Sequence, residues 1–457
     1  MYKRLYFTGI AAYIVMFLFS ILFYKERIIL VDTANGVFNI IKENSFAIGI
    51  YRFGNVFNQW LPVLAAKMNA SLDTIMMCYS SAFILYYFMC YLICGTVLKR
   101  YEFALLVLLF NTLFTADTFY WIPSELPQGM ALLMVVFAML YEKQFSTMRA
   151  TTWMAVFTGL IILVFYHPLL IFVMGFSIVF FLLHRHIPFD RKALMITGGG
   201  FFALLLLKTL FLRTPYERHS MSGMKNFITL FPDYFTLYSN RQFLANCISK
   251  YYWIPVVFMG VVVLYYQQKQ WKQAGLFLLS FFGYMLLVNV SYPSDVTPVF
   301  YIENLYLPLA VFLSLPLIFN ILPMLVRRNM AMPFLLLVLV TFGVRVSTTQ
   351  ATYAARLNWE RRFMKEHGDK KMIYPTRLVP MDTMMMVWGT PYEFWLLSTT
   401  EQSRTVSIII DPKPESRLWA DQLRNSLLVN WNVLPYSELN PKYFRMTDST
   451  TPYLIYK

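Results

Sequence analysis

The chain has 457 residues, 58% of them hydrophobic and 14% charged, against roughly 45–50% and 25% in soluble domains, which excludes a soluble or disordered protein. Its 39 Lys and Arg outnumber 24 Asp and Glu to give a formal charge of +15; set between apolar runs, that excess reads as membrane orientation rather than nucleic-acid binding. Cys78, Cys90 and Cys94 share one apolar run, leaving no paired framework outside a membrane, so disulfides are not part of the design.

Apolar runs near the ~20 residues that cross a ~30 Å hydrocarbon layer recur from residue 5 to residue 346. They predict a polytopic α-helical membrane protein of about 11 transmembrane helices, placed at 5–24, 74–97, 103–119, 126–142, 151–166, 168–184, 193–212, 252–266, 274–290, 304–325 and 332–346. The first run follows Lys3-Arg4, precedes Lys25-Glu26-Arg27 and lacks a small-residue cleavage site, which predicts an uncleaved anchor. With the N-terminus cytoplasmic, every cytoplasmic connection carries basic residues: Lys3 and Arg4, Lys99 and Arg100, Lys143 and Arg149, Arg185 with Arg191 and Lys192, Lys269 and Lys272, Arg327 and Arg328. The division is then a membrane domain over 1–346, with outer loops at 25–73 and 213–251, and a soluble α/β domain over 347–457 on the outer, periplasmic face. In that tail, helix-like stretches (Thr348 to His367, Pro414 to Leu428) alternate with β-rich pieces (Lys371 to Pro375, Thr405 to Asp411, Tyr453 to Lys457).

In the first outer loop, Arg27-Ile28-Ile29-Leu30-Val31-Asp32-Thr33 sets the first acid beyond the apolar run at the membrane surface. Asp32 or Thr33 suits the cap of a helix whose Val37, Phe38, Ile40 and Ile41 form an apolar face lying in the interface. Ile50-Tyr51-Arg52-Phe53 and Asn58-Gln59-Trp60-Leu61-Pro62 follow, Pro62 fitting the first turn of a second short helix. This order of N-terminal span, outer acid, interfacial helix, Tyr-Arg and Trp-Leu-Pro re-entry helix resembles the first outer loop of the GT-C glycosyltransferases. Those are multi-span enzymes that take sugar from a polyprenyl-phosphate carrier and transfer it on the outer face. The resemblance covers the first two spans and the overall topology, and the rest of the chain loosely. It implies that Asp32 corresponds to the family's first-loop carboxylate, the base for the acceptor, and Arg52 is carried as a substrate-binding candidate. Many family members have a second acid beside or two residues after the first, whereas Thr33, Ala34 and Asn35 follow Asp32 here. A lone carboxylate is a poor site for a hard cation, so a divalent metal gains no support and no other cofactor is implied.

Between the third and fourth runs stand Asp117, Phe119, Tyr120, Trp121 and Glu125, where some branches of the resembled family carry a second acidic motif. Asp117 at a span end calls for a polar cavity or a cationic partner. Glu125 opens a helix and is either a dipole-stabilising residue or a catalytic one; the three aromatics serve as an interface belt or a sugar platform. His167, at the turn before Pro168, binds phosphate or caps a helix. Arg213, Arg218 and His219 put cations just outside the membrane, where Arg suits bidentate contact with a phosphate; a solvated loop is the alternative. Glu303 begins the tenth run and either pairs with Arg213 or Arg345 or touches substrate. Lys208 snorkels, Gly198-Gly199-Gly200 lets helices approach or breaks one, and Pro391-Tyr392-Glu393-Phe394-Trp395 reads as core of the tail domain.

The expected activity is an inverting glycosyl transfer in which Asp32 draws the proton from an acceptor hydroxyl while Arg213, Arg218 or His219 holds the departing lipid phosphate. Asp32 and Glu125 are the catalytic candidates; Arg52, Asp117, His167, Arg213, Arg218, His219 and Glu303 are the binding candidates. The expected partners are membrane lipid, a polyprenyl-phosphate-linked sugar and a glycan, lipid or protein acceptor, with no nucleic acid, in a bacterial inner membrane. A lipid or saccharide transporter and a noncatalytic envelope scaffold are the alternatives.

Overall fold

The computed structural model describes residues 2–212, 214–215, 221–294, 297–446 and 450–456. The chain is a polytopic helical membrane protein. Among the described residues, six helices are long and apolar enough to cross a bilayer: Tyr2–Leu22, Leu72–Val97, Arg191–Phe211, Trp271–Ser291, Val299–Arg327 and Ala331–His367. Tyr238–Ser249 and Trp253–Gln267, bent by 91° at a short break, add a seventh if counted as one span.

The expected count of about 11 full crossings is therefore corrected. Four of the apolar runs form the shorter helices Tyr101–Thr112, Glu125–Leu140, Ala150–Val164 and Leu170–Leu183. At ~1.5 Å per residue, their 12 to 16 residues rise about 18–24 Å, short of a ~30 Å hydrocarbon layer. The residues withheld from these helices go into non-helical connections, the 3-10 turn Asp117–Phe119 with the extended stretch after it and the His167-Pro168 turn, and two of these line the cleft described below.

Local signals set where helices begin. Ser71 Oγ accepts from Thr74 N–H at 3.2 Å, Ser124 Oγ from Leu126 N–H at 3.3 Å and Asp190 Oδ1 from Ala193 N–H at 3.0 Å, each meeting one of the donors a helix start leaves unpaired. The triple glycine does not break its helix; a Cβ on Gly198 would stand 2.4 Å from Ile178 Cδ1, so the residue serves close helix approach. Pro62 lies inside the Val56–Lys67 helix rather than in its first turn, a correction. Connections gather at two ends of the bundle. At one end Arg100 pairs with Glu142, whose N–H donates to Pro188 O at 2.9 Å; at the other stand Asp32, Glu125 and His167.

The last apolar run and the first helix of the tail, expected as separate pieces, form one rod of 37 residues, Ala331–His367. It leads into a small α/β domain. Strands β1 (Met372–Pro375), β2 (Ile408–Asp411) and β5 (Leu454–Ile455) make a parallel sheet in the order β2-β1-β5, with Met372 level with both Ile408 and Leu454. Parallel pairing needs a crossover, and the buried Thr390–Glu401 helix lies on the path from β1 to β2. Strands β3 (Ser426–Leu428) and β4 (Val433–Pro435) form an antiparallel hairpin. The helix expected over 414–428 is corrected to a 3-10 stretch, Pro414–Gln422, followed by β3; Arg417 leaves helical dihedrals (φ −112°) and its Nε bonds Asp411 Oδ2 at 2.5 Å.

Candidate functional site

Asp32 sits in the first turn of the Val31–Glu43 helix, whose buried side includes Val37, Phe38, Ile40 and Ile41. That side packs on the tail domain: the Phe38 ring meets Tyr392, Trp395 and Phe444 at centroid distances of 5.0, 5.3 and 5.6 Å. Neither Asp32 nor Thr33 caps the helix, a correction. The capping position is Leu30, which offers no side-chain acceptor, and the Val31 N–H donates instead to the Glu393 carboxylate of the tail. Val31 is held at φ 33°, a left-handed conformation costly for a β-branched residue, and Gly389 lies so close that a Cβ would stand 2.4 Å from Val31 Cα. The tail domain therefore fixes the backbone that carries Asp32.

The first loop, the Asp117–Glu125 connection and the tail enclose a cleft of about 810 Å³, lined by Asp32, Arg52, Glu125 and His167 among others. Four of the sequence-derived candidates thus meet in one hollow. Asp32 is half-buried and accepts from Trp121 Nε1 at 3.3 Å. Burial pushes its carboxyl up to about 6; Glu125 and Glu393 push the same way, while the Trp121 hydrogen bond and the Arg52 charge oppose. Glu125 is committed elsewhere, with Arg52 Nη1 at 2.5 Å and Asn55 Nδ2 at 2.8 Å. Of the two carboxylates, Asp32 is the one without an ion pair among the described residues. His167 Nδ1 accepts from Leu169 N–H at 3.2 Å, which leaves Nε2 to carry the proton. Burial, then the charges of Arg52 and Lys208, hold the imidazole well below its usual pKa and so neutral.

A second cavity of about 400 Å³ adjoins the first and shares Arg52, His167, Tyr301 and Leu305 with it. Leu169, Ile171, Phe172, Leu205, Leu287 and Val288 give it apolar walls, and Lys208 lies in it. The two hollows join a compartment that carries carboxylates and amides among apolar side chains to a more uniformly apolar one, with cationic or donor groups at the junction.

Asp117 and Glu303 do not line the cleft. Asp117 is paired with Lys250 Nζ at 2.7 Å and accepts from Tyr353 OH at 3.2 Å. Glu303, fully buried, accepts from the N–H groups of Ala116 and Thr118 at 2.8 and 2.9 Å, from Thr118 Oγ1 at 2.7 Å and from Tyr251 OH at 3.0 Å. It pins the turn that precedes Trp121. Glu303→Leu is expected to lower stability in mixed micelles by about 3 kcal/mol, because those donors lose their acceptor; a variant of native stability would show that Glu303 does not pin the turn. Arg213, Arg218 and His219 lie outside the described residues. Arg345 donates to Thr112 O and stacks on the Tyr252 ring at 5.2 Å, away from both cavities.

Sequence reasoning passed over Lys208 as a snorkelling residue, and it missed Asn304, Trp388 and Trp431, all of which line one of the hollows. A Lys near a span end was the only available signal; the others come together through folding alone. Among the described residues, no group of three His, Cys, Asp or Glu side chains gathers in a way that would hold a metal ion. Comparison with family models, with curated proteins and with solved structures finds no match in any of the three, so the functional reading stands on this geometry.

Proposed function

We propose that the protein is a glycosyltransferase that moves a sugar from a polyprenyl-phosphate carrier to an acceptor hydroxyl, with inversion. The observation that carries the reading is the junction of the polar Asp32 cleft with the apolar cavity at Arg52 and His167. A lipid-linked sugar has this split character: its isoprenoid chain fits apolar walls, its phosphate falls at the junction, and its sugar enters the polar side. The acceptor oxygen attacks the anomeric carbon as the bond from that carbon to the phosphate oxygen breaks; the electron pair leaves with the phosphate, and the acceptor proton passes to Asp32. Arg52 and the His167 Nε2–H are placed to offset the charge that develops on the leaving phosphate. A carrier held in the bilayer plane leaves only the acceptor to be recruited, which favours reaction through proximity.

In this reading the cleft opens on the outside of a bacterial inner membrane and the N-terminus is cytoplasmic, in keeping with the basic residues at the opposite connections, such as Lys99, Arg100, Arg191 and Lys192. The test is made in proteoliposomes supplied with a polyprenyl-phosphate sugar. Release of polyprenyl phosphate should accompany glycosylation of the acceptor, with kcat/KM rising with pH through about 6 and then levelling, because the base works only when ionised. Movement of intact carrier across the bilayer with no bond cleavage would establish a transporter instead.

A further inference from the structure

Two tryptophans from the tail domain reach the cleft that holds Asp32. Trp431 stands on the turn of the β3-β4 hairpin, where Val429 N–H closes on Asn432 O at 3.0 Å, and it is 67% exposed. Trp388 is half-buried beside it, with ring centroids 5.2 Å apart and planes at 42°. Their relation is built rather than incidental. Asn430, the neighbour of Trp431, donates its Nδ2 to Trp388 O, and Arg417, anchored on Asp411, reaches Asn430 O at 3.3 Å. An indole this exposed would ordinarily be hidden in a core or sunk in lipid; here the same cleft is also lined by the amides Asn35, Asn39 and Asn55 and the carboxylate Glu43.

Aromatic faces that share a cleft with planar amide and carboxylate groups suit a ligand with an apolar C–H face and a rim of hydroxyls. We infer that Trp388 and Trp431 form the acceptor subsite and that the acceptor is a saccharide chain, stacked on the indoles with its hydroxyls toward the amides. This rests on the transfer reading and narrows its acceptor from a glycan, lipid or protein to a glycan. A lipid acceptor would call for a continuous apolar surface such as Leu169, Ile171, Phe172, Leu205, Leu287 and Val288 give the other cavity, and would have no use for the amides of this cleft.

The full chain in lipid nanodiscs is applied to an oligosaccharide array of neutral, acidic and amino-sugar chains, alongside Trp388→Ala, Trp431→Ala, Trp431→Phe and Asp32→Asn. At least one oligosaccharide class should be retained by the native chain and by Asp32→Asn, lose about tenfold in affinity in either Ala variant, and be largely restored in Trp431→Phe. In the native chain, that same oligosaccharide should shield Trp431 from oxidation by N-bromosuccinimide, a readout that needs no variant. No retained oligosaccharide, equal retention in the Ala variants, or a loss confined to association with lipid vesicles would overturn the subsite. Tryptophan-dependent glycan binding without any sugar transfer would remove the transfer reading and leave a glycan-binding surface; transfer without tryptophan-dependent binding would do the reverse.

Discussion

Asp32→Asn is expected to lower the transfer rate about 10²–10⁴-fold, the contribution of a positioned general base, while leaving donor affinity and stability close to native. The substitution preserves shape and an acceptor for Trp121 Nε1, which approaches Asp32 Oδ2 at 3.3 Å. It also breaks no ion pair formed by Asp32 among the described residues. Glu125 is engaged by Arg52 and Asn55, one on each oxygen, whereas Asp32 forms no such pair among the described residues. Initial rates at saturating donor, with donor binding measured separately, give the split. Unchanged turnover would eliminate Asp32 as the base, and an equal loss of turnover and donor affinity would make it a binding residue.

Much of this site can be read in the chain before it folds, for a physical reason. Ionisable groups beside apolar runs are few, so Asp32, Arg52, Glu125 and His167 stand out, and the alternation of connections from one end of the bundle to the other puts them together. What stays hidden depends on contacts between segments hundreds of positions apart. Glu393 lies within an aromatic cluster, and Tyr392, Phe394 and Trp395 do pack as core. Nothing local marks the acid between them as the acceptor for the Val31 N–H. Trp431 looks like any hairpin aromatic until the tail docks on the first loop. Helix length is hidden in a different way: the run from 103 to 119 is apolar almost throughout, yet its helix stops at Thr112 and Asp117–Phe119 turns, since Glu303 supplies the acceptor that lets those backbone donors leave the helix.

The link between the tail and Asp32 leads to the second large effect. Arg356, fully buried, bonds Glu393 Oε2 at 2.5 Å, lies 3.4 Å from Glu360 Oε1 and donates to Met384 O. Removing only the cation leaves the buried Glu393 carboxylate without its counter-charge beside Glu360, so Arg356→Met should destabilise the protein by about 3–5 kcal/mol. Replacing all three, Arg356→Met with Glu360→Leu and Glu393→Leu, exchanges the charges for apolar volume and should recover at least half of that loss in unfolding measurements in mixed micelles. Turnover should not recover with it. Without Glu393 the Val31 N–H has lost its acceptor, the left-handed backbone at Val31 is free to relax, and Asp32 shifts with it; a misplacement near 1 Å is enough for a loss of about 10²-fold. The pH midpoint of the remaining activity should also fall below about 6, because Glu393 no longer opposes the ionisation of Asp32. A triple variant that regains both stability and native turnover would show that Glu393 holds the tail together without positioning the base.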